Sequence, residues 1–96
     1  MESLLKVLEK LYSIQDNSYL CEDDGRTYFQ SNDVVYEEAE ALCNEKLITN
    51  NGLCDWDNIG VLRNNGYRVF AGEKDGFGWI TGCVQKNGDP RILVYG

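Results

Sequence analysis

Arg68, Phe70, Trp79, Arg91 and Tyr95 lie within the last thirty residues, at alternating positions of three runs rich in β-branched and aromatic side chains. Guanidinium groups interleaved with flat rings stack unpaired bases and hold their phosphates, and they also anchor protein partners. A second set is anionic. Glu37, Glu38, Glu40, Asp55 and Asp57 form a run of carboxylates that imitates a row of phosphates and suits a basic groove on another protein. Both are chemistries of recognition.

Catalytic chemistry has less to work with. The chain contains no histidine, so Ser-His-Asp and Cys-His arrangements are closed to it and the commonest proton-transfer group near neutral pH is missing. Neither a Gly-Lys-Ser/Thr phosphate loop nor a GxGxxG order occurs. Cys21, Cys43, Cys54 and Cys83 are widely spaced with no CxxC pair, which argues against a zinc site and for small apolar thiols in a reducing compartment. The expectation is therefore a non-enzymatic protein with no catalytic residues, no cofactor and no metal.

The formal charge of −7 is unevenly placed. Residues 1–32 carry six acids against three bases, residues 33–58 seven against one, and residues 59–96 three against five. The middle of the chain is acidic and the last third mildly basic. Helical signals near 33–47 and 56–64 followed by a hairpin imitate a winged helix. The candidate recognition helix, however, offers Asp55, Asp57 and only Arg63, so duplex DNA is a poor partner. The first apolar stretch is broken by Glu2, Lys6, Glu9 and Lys10, which leaves no bilayer span and points to a cytoplasmic protein.

The elements that must position these groups follow from periodicity. Leu4, Leu5, Leu8, Leu11 and Tyr12 recur at helical spacing and predict an amphipathic helix to about Ile14. Residues 19–21 and 27–29 read as a short hairpin around Asp24-Gly25. Val35, Ala39, Leu42, Cys43 and Leu47 mark a second helix, with Asp33 or Ser31 as its cap and Asn50-Asn51-Gly52 as its end. Asp55 is placed to cap a third, shorter helix that Gly66 terminates, with Trp56, Ile59 and Leu62 sharing a face.

Three strands then form an antiparallel meander, parted by turns at 72–76 and 86–90. Gly78 and Gly82 share a parity with Ile80, a gap suited to close approach by another element, so that side is assigned to the helices. The opposite face is expected to carry Trp79 and Cys83 together with Arg68, Phe70, Arg91 and Tyr95, while Ile92 and Val94 are assigned elsewhere.

These readings describe one domain over residues 1–96. Its expected fold is α+β, with two to three helices on one face of a three- to five-stranded antiparallel sheet that ends in a β-meander. In charge and size alone the chain resembles small acidic inhibitors such as immunity proteins and nucleic-acid mimics; no family motif accompanies that likeness. The function expected is a small acidic cytoplasmic interaction domain, an inhibitor or accessory factor of a bacterial or mobile-element system, that binds a basic protein through Glu37, Glu38, Glu40, Asp55 and Asp57. The alternative is single-stranded nucleic-acid binding through the Arg/aromatic sheet face, a face that would also serve as a homodimer seam.

Overall fold

The computed structural model describes residues 1–15, 17–31, 33–74 and 79–96, and for 73–74 and 79–81 the backbone alone. Three helices and five strands follow in the order α1 (Glu2–Ser13), β1 (Ser18–Cys21), β2 (Arg26–Phe29), α2 (Val34–Leu47), α3 (Trp56–Asn64), β3 (Tyr67–Lys74), β4 (Trp79–Lys86) and β5 (Arg91–Tyr95). The class is α+β, with helices packed on one side of the sheet.

Each helix begins and ends for local reasons. Leu4, Val7, Leu8, Leu11 and Tyr12 give α1 a continuous buried stripe at three- and four-residue spacing. Full burial of each leucine contributes about 2 kcal/mol of hydrophobic stabilisation. Asp33 caps α2 by accepting the Val35 backbone N–H at 2.7 Å. Asp55 caps α3 by accepting the Asn58 N–H at 3.1 Å. The predicted end of α2 differs. The helix stops at Leu47 and Ile48 is extended, bridging to Cys54, so Asn50-Asn51-Gly52 forms the tip of a tight loop instead of a helix cap. Gly52, at φ 76°, supplies the left-handed residue that this loop needs.

The strands lie in the order β1-β2-β5-β4-β3. The meander β3-β4-β5 is antiparallel as expected. The sheet as a whole is mixed, because β2 runs parallel to β5, pairing Thr27 with Arg91 and Tyr28 with Ile92. The 18–29 hairpin therefore prolongs the sheet in its own plane and does not fold over it. α1 packs on α2, α2 on β5 and α3 on β3. The core between helices and sheet unites Leu4, Leu8, Leu11, Leu47, Ile59, Leu62, Val84, Leu93 and Tyr95. Trp56 does not join Ile59 and Leu62 there. It lies in the first turn of α3 and stays exposed, with the Arg63 guanidinium 6.0 Å from its ring centre.

Candidate functional site

Strand register decides which side chains face outward. β4 pairs Cys83 with Phe70 on one side and with Val94 on the other, and Gln85 with Arg68 and Ile92. Residues directly paired share a face of the sheet. Arg68, Phe70, Cys83, Gln85, Ile92 and Val94 therefore stand together on the face away from the helices, and Arg26, Tyr28 and Tyr19 continue it across β2 and β1. Phe70, on the edge strand β3, is 58% exposed and Val94, on the central strand β5, 37%, so among the described residues nothing covers this face.

Two grooves run over it. One of about 530 Å³ is lined by Arg26, Arg68, Phe70, Cys83, Gln85, Pro90 and Ile92 among others. A second of about 390 Å³ lies between Arg26, Tyr28, Phe70, Ile92 and Val94. Among the described residues neither has a carboxylate in its lining. The Tyr28 hydroxyl donates to Asp24 Oδ2 at 2.5 Å, and the Arg26 backbone N–H donates to Asp24 Oδ1 at 2.8 Å. Those two bonds, the phenol first, hold the Asp24 carboxyl below the usual carboxylate range, and the bond to Asp24 raises the Tyr28 phenol. Partial burial pushes the Cys83 thiol up, opposed by the nearby Arg26 charge. Tyr19 leans on Tyr28, with ring centres 5.9 Å apart.

The two other residues assigned to this face, Arg91 and Tyr95, are on the opposite one. Their placement corrects the expected parity of β5, and the cause is the length of one turn. Counting Lys86 with the turn makes a five-residue connection. In the structure Lys86 remains in β4, the connection is the four residues 87–90, and every side chain of β5 changes face. Ile92 and Val94 thereby move to the open face.

Tyr95 pairs with Gly82 and is buried. A β-carbon on Gly82 would fall inside the Tyr95 ring, so this glycine does lie on the helix side, but what approaches it is a neighbouring strand's side chain. Arg91 is bound from all sides. Its guanidinium donates to Asp89 at 2.8 and 3.0 Å, to the Tyr12 carbonyl at 2.7 Å and to the Ile14 carbonyl. It also lies 4.9 Å from the Phe29 ring centre and 5.5 Å from that of Tyr12. This arginine ties the end of α1 to the sheet. The Trp79 side chain and Gly78, both invoked in assigning the faces, lie outside the described residues.

The acidic set is less concentrated than its sequence implies. Asp55 is occupied as a helix cap, and its other oxygen accepts from the Asn58 side chain at 3.3 Å. Glu40 accepts the hydroxyl of Tyr36, whose phenol is pushed up to about 12, first by burial and then by that carboxylate. Glu37, Glu38 and Asp57 remain exposed, but Glu37 and Glu38 stand in the first turns of α2 and Asp57 beside its far end, where the Asn58 side chain meets the Lys46 carbonyl. At 1.5 Å per residue the two groups are about 13 Å apart along the helix.

Arg26, Tyr28, Ile92 and Val94 were absent from the predicted sheet face. The first two reach it only because β2 pairs with β5. Among the described residues no three potential metal ligands come together. No described helix is long and apolar enough to cross a membrane. Compared with known proteins, the chain matches no family model, no curated protein and no solved structure.

Proposed function

We propose that this protein is a small cytoplasmic interaction domain, without catalytic activity of its own, that works by holding another protein on the open face of its sheet. The observation that carries this reading is the uncovered Phe70, Val94 and Ile92 surface flanked by Arg26 and Arg68. Interfaces of this kind centre on aromatic and arginine anchors. The acidic helix face supports partner binding less well, since two of its five carboxylates have internal hydrogen-bond partners.

The test is photocrosslinking in the native host, with benzoylphenylalanine replacing either Phe70 or Glu38. Protein adducts are expected from position 70 and not from position 38. Adducts from position 38 alone would sink the reading in favour of the acidic helix, and nucleic acid bound to position 70 would sink it in favour of a polynucleotide ligand.

A further inference from the structure

A groove with no carboxylate among its described lining residues is unexpected in a chain with 16 carboxylates and 9 basic residues. Both arginines that line it are exposed, and among the described residues neither is in an ion pair. Arg91 shows what this fold does with an arginine it needs for structure: it surrounds the guanidinium with acceptors. Arg26 and Arg68 are not enclosed in that way: both are exposed, and Arg26 has the Tyr28 hydroxyl and the Asp24 carboxylate near it.

We propose that the open face binds an extended acidic and apolar peptide segment of the partner. Its carboxylates at positions i and i+4 reach Arg26 and Arg68, and its apolar side chain at i+2 rests on Ile92 and Pro90. The spacing comes from the sheet. β2 and β3 are three strand spacings apart, about 14 Å, and Arg26 lies two residues along β2 from Tyr28, which shares a row with Arg68, so the two arginine backbones are about 16 Å apart on a diagonal. Residues i and i+4 of an extended chain are about 14 Å apart and point the same way, with i+2 midway between them, and the long side chains span the difference. Arginine forks pair well with carboxylates in a partly desolvated groove.

Other occupants fit worse. A basic segment would meet two guanidinium groups, and the carboxylate beside Arg26, that of Asp24, already accepts from the Tyr28 hydroxyl and the Arg26 backbone N–H. A polynucleotide, which continues past Arg26 where a short peptide ends, would run into the exposed Glu22 and Asp23 of the hairpin tip. A second copy docked face to face would bring four arginines together unpaired.

The inference rests on the open face being the working surface, and the experiment separates the two. Amide NMR spectra of the full chain are recorded against a heptapeptide with glutamates at its second and sixth positions and leucine at the fourth. The same spectra are recorded against the lysine counterpart and against ten-residue oligothymidylate. Shifts confined to open-face residues are expected with the glutamate peptide alone. Binding should weaken at least tenfold in Arg26→Gln/Arg68→Gln, whose own spectrum reports whether it is folded, and at least tenfold when the peptide leucine becomes glycine.

Equal binding of the lysine peptide, tighter binding of oligothymidylate, concentration-dependent self-association through the same residues, or no shift with the glutamate peptide would each overturn the inference. Cross-links from position 70 that persist alongside any of these results would retain the surface and remove only this ligand.

Discussion

The two faces of the sheet are built from the same kinds of residue and use them in opposite ways. On the helix side, Arg91, Tyr12 and Phe29 form a closed set. The Tyr12 hydroxyl lies 3.1 Å from the Val84 carbonyl and 2.9 Å from that of Arg91, and burial drives its phenol far above the ordinary tyrosine range. On the open side, Arg26, Arg68, Tyr28 and Phe70 have space above them and few partners. Residue type alone thus says little about role; what separates structure from recognition is whether the polar groups already have their bonds.

The largest effect that would break this comparison is expected from Gly82→Val. Its side chain would enter the space of the Tyr95 ring, and overpacking of this kind costs about 3 kcal/mol. For a chain of this size the melting temperature should fall by roughly 15 °C. A melt within a few degrees of the parent would mean that Tyr95 is not seated where the register puts it.

Arg91→Ala comes next, with a loss of about 2 kcal/mol because it leaves Asp89 and two carbonyl groups without their donor. Arg68→Ala, which removes the same group from the other face, should change stability by no more than about 0.5 kcal/mol. Urea unfolding of the pair sharpens the contrast directly. Equal losses would erase it.

The smallest effect is a pH dependence. Hydrogen bonds from the Arg91 side chain, opposed by partial burial, hold the Asp89 carboxyl below the ordinary carboxylate range. A carboxyl depressed in the folded state adds stability above its unfolded value of about 4, and loses it as pH falls through the folded value. Asp89→Asn should therefore be less stable than the parent at pH 7, with the gap closing as the solution is acidified below pH 4. A gap that stays constant with pH would show that the Asp89 charge contributes nothing to the Arg91 lock.

Much of the helix side was legible in the sequence because its signals are local. The stripe from Leu4 to Tyr12, the Asp33 and Asp55 caps and the three strands of the meander each follow from residues within one or two turns of one another. The open face was legible by half. Arg68 and Phe70 were placed correctly because β3 and β4 were read in phase. Arg91 and Tyr95 were misplaced because one lysine counted as turn instead of strand reverses a whole strand. Arg26 and Tyr28 were missed because a parallel pairing between β2 and β5 is written nowhere near either of them.

That pairing also constrains how the chain acquires its shape. β5 is made last but lies third among the five strands, with β2 on one side and β4 on the other. A nascent chain that has emerged through residue 90 holds a hairpin, three helices and a two-stranded ribbon with no strand to join them. Closing contacts across more than sixty residues of sequence is slow, because the entropy of the loop must be overcome before any bond forms. The domain should therefore emerge from synthesis with its apolar faces open and fold in a single late step, once Leu93 and Tyr95 arrive to fill the middle.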